Sequence, residues 1–283
     1  QSMLAQTFRD FELIIADDGS PDDTKQVVEN FAQTAWFPVR YFRQENKGRS
    51  AARNLGLKNS QAEFIVFIDD HIVLDNEFLI EHIKVHEQQA TSNAKSLAAV
   101  RGRSVLIEEP IEVVPVSELA PLVIDKQRIQ DPFYTFITNN ISVRRRVIEE
   151  VGGFDEDFKN YGFQDSELGY RIKRKGYLFA WAPKAVGQIF ACGISYEQSR
   201  ERARQVGLSA RIFARKHPEG KWKVGINPAN HLFYCLTSLD ESRFVRSWIA
   251  RQEAAVKQGN ISLAERLQYW IKHYYFCQGM FLN

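Results

Sequence analysis

The sequence predicts an α/β fold with a mostly parallel sheet, followed by a helical region. Three observations lead there. Short apolar runs alternate with segments of helical spacing through the first half. Acidic pairs stand where two of those runs end, and parallel sheets bind ligands just beyond the carboxyl ends of their strands. From Tyr196 onward the spacing is helical.

In chain order, Glu12-Leu13-Ile14-Ile15-Ala16 reads as a buried strand. The loop Asp17-Asp18-Gly19-Ser20 opens a helix, with Ser20 as N-cap, Pro21 as first helical residue and Asp23 as reciprocal partner. Val39–Phe42 is a second strand, Gly48–Lys58 a short helix, and Glu63–Ile68 a third strand ending in Asp69-Asp70-His71. A helix over about 76–89 carries His82 and His86 at i, i+4. That spacing suits zinc, but no HExxH pattern and no nearby cysteine accompany it, so the pair reads as part of an exposed polar face. Leu97–Leu106 is a strand, 108–132 an irregular Pro-containing stretch, and Ile141–Val143 a strand before a helix at 144–151. Helices follow at about 165–175, 196–216, 240–258 and 261–277, with a loop over 217–231.

Composition sets the bounds. The 283 residues suffice for one large or two modest domains, and 44% apolar with 25% charged residues excludes a chain dominated by disorder. No stretch approaches about 18 consecutive apolar residues. Gln1–Gln6 shows no basic segment leading into an apolar run, the mark of a secretory signal. Cys192, Cys235 and Cys277 form neither a metal pair nor a disulfide framework, so a cytoplasmic setting is expected. The net charge of +2 hides an asymmetry. Residues 196–283 hold 14 Lys and Arg against 7 Asp and Glu, net +7, while 1–195 hold 23 against 28, net −5. Two regions are expected, 1–195 and 196–283.

Each acidic cluster has a plain structural reading beside a chemical one. Asp69-Asp70-His71 is either a strand-end turn or a site for Mg²⁺ or Mn²⁺, since adjacent carboxylates repel and the imidazole favours Mn²⁺. Such a cation can neutralise a departing diphosphate. Asp17-Asp18 either caps the next helix or accepts hydrogen bonds from a nucleobase or ribose. Asp165 either complements a helix dipole or serves as a general base.

Together these segments resemble a GT-A glycosyltransferase of family 2. Leu4–Glu12 followed by Asp17-Asp18-Gly19-Ser20 is similar to the family's first helix, second strand and nucleotide loop. Asn46-Lys47-Gly48-Arg49-Ser50-Ala51-Ala52-Arg53-Asn54 resembles its G-x-x-x-A-R-N segment, and Asp69-Asp70-His71 stands in the place of its DxD motif. Asn140-Ile141-Ser142-Val143-Arg144, Gly152-Gly153-Phe154-Asp155-Glu156 and Tyr161-Gly162-Phe163-Gln164-Asp165-Ser166-Glu167 resemble its acceptor half. The resemblance covers roughly residues 3–190.

The resemblance implies a hexosyltransferase-type enzyme moving a sugar from a nucleotide-diphosphate donor, most commonly a UDP-sugar, to a saccharide or lipid-linked acceptor by a single inverting displacement. It implies nucleotide-sugar binding by Asp17, Asp18, Arg53, Asp69 and Asp70. It implies Mn²⁺ or Mg²⁺ on Asp69, Asp70 and His71, and Asp165 as base. Asn140, Asp155 and Gln164 would shape the acceptor side. Gln164 replaces a Glu of the usual pattern, and Gln188 stands where many relatives place a metal-binding His. A leading strand and most of a helix, about 20–30 residues, are expected ahead of Gln1. A domain that binds without turnover is the alternative. Residues 196–283 are expected either to cap the catalytic domain or to touch an anionic membrane surface; no nucleic-acid partner is expected.

Overall fold

The computed structural model describes residues 1–93, 97–107, 129–190, 193–238 and 243–282. The chain forms two compact units, Gln1–Glu156 with Asp165–Cys192, and Asp157–Gln164 with Gly193–Asn283. Most of the irregular stretch expected at 108–132, and Cys192, lie outside the described residues.

In the first unit, β1 (Leu13–Asp17) pairs in parallel with β2 (Val39–Arg43). Between them α1 (Thr24–Ala32) begins later than expected. Ser20 is not its cap: its N–H donates to Asp17 Oδ1 at 2.8 Å, while Asp22 accepts from Thr24 N and Oγ1. Local side-chain acceptors thus hold 17–22 as a turn in place of a first helical turn. Helix α2 (Arg49–Asn59) starts at Gly48, whose φ of 95° suits glycine.

The second sheet contains β3 (Phe64–Ile68), β4 (Ile72–Leu74), β5 (Leu97–Ile107), β6 (Asn140–Arg144) and β7 (Leu178–Phe190), in the order β3-β6-β5-β7-β4. The β3/β6, β5/β6 and β4/β7 pairs are antiparallel and β5/β7 is parallel. The α/β class holds, but this sheet is mixed where mostly parallel strands were expected. Buried apolar runs mark strands without marking their direction. Strand β3 alternates. Ile65 and Phe67 face a core built on Ile141, Val143, Ile148 and Leu168, while Val66 and Ile68 face one built on Phe78, Leu79 and Val100. Both faces are covered, as expected of a layered α/β unit. The helices α3 (Phe78–Asn93), α4 (Pro132–Thr135), α5 (Arg145–Glu150) and α6 (Gln164–Arg174) complete it.

His82 and His86 correct the sequence reading. Both are fully buried on the inner face of α3. His82 reaches Asn140 Oδ1 and Ser142 Oγ, both at 2.9 Å, and His86 Nε2 reaches Ser142 Oγ at 2.9 Å. Helical spacing cannot distinguish a polar surface stripe from a polar seam inside the core. Only the hydroxyl and amide waiting on β6 make the second arrangement stable.

One feature of this unit is open. Among the described residues β1 has only β2 as a hydrogen-bonded neighbour, and β3 only β6. A cavity of about 950 Å³ lies between them, lined by Leu13, Ile14 and Ala16 of β1 and Phe64–Ile68 of β3.

The second unit is helical: α7 (Tyr196–Lys216), α8 (Pro228–Ser238), α9 (Phe244–Lys257) and α10 (Ile261–Phe281). Ser195 and Gln198 close a reciprocal capping box on α7. Helices α7 and α10 meet glycine to backbone: a Cβ on Gly207 would lie 2.0 Å from Phe276 O, and one on Gly279 2.0 Å from Arg204 O. Arg200 donates to Gln252, which donates to Gln268, a buried polar layer joining α7, α9 and α10. Helix α8 was not expected, because Pro228 reads as loop; at a first helical position its missing N–H costs nothing. No helix among the described residues is long and apolar enough to cross a membrane.

Candidate functional site

The site begins at the loop after β1. Asp17 is buried, and its carboxylate accepts from Ser20 N, from the Tyr41 hydroxyl and from Arg43 Nε at 3.5 Å. Burial pushes its carboxyl up, but the Tyr41 and Ser20 hydrogen bonds outweigh that, and the pKa falls to about 2. Asp17 is therefore a permanent anion that fixes the loop. Asp18 points the other way, accepting from Gln44 Nε2 at 2.7 Å and from Lys47 N and Gly48 N at 2.8 Å each. It ties the β1 loop to the N-terminus of α2. The tie needs Gly19, whose φ is 87° and where a Cβ would sit 3.1 Å from Asn46 N.

From α2, Arg53 extends to Asp165 on the first turn of α6, with Nη1 to Oδ1 at 2.8 Å. The other oxygen, Oδ2, accepts from Thr138 N at 3.0 Å and Thr138 Oγ1 at 2.7 Å. The Asp165 carboxylate is thus aimed by two elements far apart in sequence. The Arg53 guanidinium also lies 5.4 Å from the centre of the Phe154 ring, and Asn54 clasps the backbone of Phe154 through both its N–H and its C=O. The Gly153 backbone, with φ of 73°, comes so close that a Cβ would meet Asn54 Oδ1 at 2.8 Å. Arg171, paired with buried Glu167, donates to Val151 O and Gly153 O and pins the same loop. Asn54 closes the G-x-x-x-A-R-N segment without a role assigned to it from sequence, and Thr138 and Arg171 carry no sequence signal; their hydrogen bonds show all three to be supports.

The turn after β3 carries Asp69, half-buried, and Asp70 and His71, both exposed. His71 Nδ1 lies 3.0 Å from Asp70 Oδ1, and the Asp70 side chain is fully solvated. Burial raises the Asp69 carboxyl above its ordinary value; His71 and Arg53 draw it down, and Asp165 and Asp70 push it further up. Asp69 thus shares one electrostatic neighbourhood with Arg53 and Asp165. A carboxylate raised chiefly by burial is one that a bound cation would hold ionised, and two carboxylates with an imidazole are the donor types that Mn²⁺ or Mg²⁺ accepts. Among the described residues no three such side chains are already gathered in ligating geometry. The turn fits a divalent cation by donor chemistry, with the Asp70 and His71 side chains exposed to solvent.

The acceptor-side residues divide. Asn140 is fully buried, its amide donating to Arg103 O and Ala185 O at 3.0 Å each, so it locks β5, β6 and β7 together and does not line an open face. Gln164 is also buried and turns its amide to the carbonyls of Phe158 and Asn160. Asp155 stays half-buried in the loop beside Phe154. Gln188 is buried on β7, directly opposite Val73 of β4, the strand that follows His71.

The sequence profile of glycosyl transferase family 2 matches residues 1–152, and that of the N-terminal domain of galactosyltransferase matches 121–192. The chain is 29% identical over 216 residues to an uncharacterized glycosyltransferase, YfnE, of Bacillus subtilis (strain 168), covering 60% of this chain and 54% of that protein. It is 28% identical over 239 residues to validoxylamine A glucosyltransferase of Streptomyces hygroscopicus subsp. jinggangensis (strain 5008), covering 74% and 54%. The chain thus spans about half the length of these relatives. In fold it is similar to the mannosyltransferase PcManGT of Pyrobaculum calidifontis, solved with GDP-Man and Mn²⁺, at a TM-score of 0.60 and 14% identity over 99% of this chain and 79% of that one.

Proposed function

The chain belongs to glycosyl transferase family 2, and from that premise we propose that it transfers a sugar from a nucleotide-diphosphate donor, a UDP-sugar first among them, to a hydroxyl of a saccharide or lipid-linked acceptor. The observation that carries this reading is the Asp165 carboxylate. It is held on one oxygen by Arg53 and on the other by Thr138, within the electrostatic reach of Asp69.

In the proposed inverting displacement, the acceptor oxygen attacks the anomeric carbon opposite the diphosphate. The bond from that carbon to the diphosphate oxygen breaks, and its electron pair leaves with the diphosphate. The acceptor proton passes to Asp165. Thr138 keeps the carboxylate oriented throughout, and the positive charge of Arg53 acts on both Asp165 and Asp69. A divalent cation on Asp69, Asp70 and His71 would supply countercharge for the diphosphate. Asp18 accepts three hydrogen bonds and keeps one lone-pair direction for a nucleobase N–H.

The alternative, binding without turnover, draws on one observation: in the free protein Asp165 already accepts three hydrogen bonds, which leaves a single lone-pair direction, on the oxygen that Arg53 holds, for an acceptor hydroxyl. Calorimetry tests the donor side. UDP with Mn²⁺ should bind, and Asp69→Ala and His71→Ala should each weaken binding by about tenfold or more. No binding heat with UDP or GDP would contradict the donor assignment.

A further inference from the structure

Helix α8 is unusual for a surface helix, since none of its eleven residues is acidic, Lys or Arg. Leu232 and Leu236, one turn apart, are 59% and 58% exposed. Between them Phe233 stacks on Trp270 of α10 at 6.0 Å and lies 4.7 Å from His273. Trp270 and its neighbour Tyr269 are themselves 48% and 65% exposed. The two helices therefore present one continuous apolar and aromatic face to solvent, larger than scattered surface leucines would make.

Cations flank that face. On α10 exposed Arg266 precedes Tyr269 and Trp270 by one turn, and exposed Lys272 follows Tyr269 by nearly one. Residues 243–282 as a whole hold six Lys and Arg against two carboxylates, Glu253 and Glu265. We propose that the α8–α10 face docks on an anionic lipid bilayer. Leu232 and Leu236 enter the acyl boundary, Tyr269 and Trp270 settle among the headgroups, and Arg266 and Lys272 meet the lipid phosphates. A polar protein partner would leave the leucines unmatched, and a neutral bilayer would leave the cations unmatched. The inference uses no residue of the proposed transfer site, so the two stand or fall separately.

The test is flotation of the 283-residue protein with phosphatidylcholine vesicles, with and without roughly one-third phosphatidylglycerol, at low and high salt. Binding to the anionic vesicles alone, weakened by salt, is expected. The double variant Leu232→Asp/Leu236→Asp changes only exposed side chains and should lower partition by about tenfold or more. Arg266→Glu/Lys272→Glu should do the same, while the charge control Lys25→Glu should not. Circular dichroism and thermal melting check that each variant is folded; should the leucine pair fail that check, the charge pair carries the test. No binding to anionic vesicles at low salt overturns the proposal. So does unaltered binding by both variant pairs. A dimer in light scattering that Leu236→Asp dissolves would assign the face to a second copy of the chain and overturn it too.

Discussion

Buried titratable groups decide how this protein responds to acid. Burial lowers the pKa of His82 to about 4 and of His86 to about 3, with Arg144 and His82 adding to the effect at His86. Both are neutral when folded, and the unfolded imidazole titrates near 6.5. The folded values lie below the unfolded one, so their contribution is present above pH about 6.5 and is lost as pH falls toward the folded values. Each costs up to about 1.4 kcal/mol per pH unit in that window. Thermal melts should show the first unit losing stability from pH about 6.5 downward, with a shallower slope in His82→Gln. An unchanged slope would remove His82 from this role. The chemistry at residue scale was only partly legible. Asp17, Asp18, Asp69 and Asp165 stand out because acidic residues at strand and helix ends are conspicuous. Thr138 and Arg171 do not, because a residue that aims another through a hydrogen bond leaves no pattern in the chain. Asn140 and Gln164 look like surface polar residues and lie inside, where carbonyls of neighbouring segments satisfy their amides.

At the scale of elements, periodicity locates helices well where nothing interrupts it. The expected helix at 196–216 is α7, and that at 261–277 is α10 extended to Phe281. It fails where punctuation misleads, as Pro228 does for α8, and it misses a strand inside the five-stranded sheet, β7 over Leu178–Phe190, between β5 and β4. Close contacts between elements are a further property that spacing cannot convey. Gly279 is one: its neighbour across α7 is a backbone oxygen, which cannot move aside. Gly279→Ala should therefore destabilise the helical unit by about 1–3 kcal/mol, well beyond what glycine-to-alanine does in an ordinary helix, where it stabilises. A denaturant melt of that unit checks it; an unchanged or raised midpoint would show that α7 and α10 separate freely.

At the scale of the whole molecule, the charge asymmetry falls close to the division between units. Many of the arginines on α7 are nevertheless engaged internally: Arg200 with Gln252, Arg204 with Glu201, Arg202 over Tyr161. The cations on α9 and α10, Arg246, Arg251, Lys257, Arg266 and Lys272, are all exposed. The open edges of β1 and β3 are the other feature of this scale. Their facing amides lack a strand partner among the described residues, and half-exposed Ile14, Ile15, Ile65 and Phe67 flank them. Hydrogen exchange in this chain should be at least about 100-fold faster at those edges than at the β5–β6 pairing around Val100 and Ser142. Equal protection would mean that the two strands close on each other in solution.

The central claim is that Asp165 accepts the proton of the attacking hydroxyl. Asp165→Asn keeps the shape and can still bond Thr138 and face Arg53, but it cannot take a proton. Donor-dependent sugar transfer should fall by about 100-fold or more, while calorimetry shows UDP binding within about twofold of the parent chain. Transfer retained at near-parent rates with binding intact would contradict the assignment of Asp165 as the base.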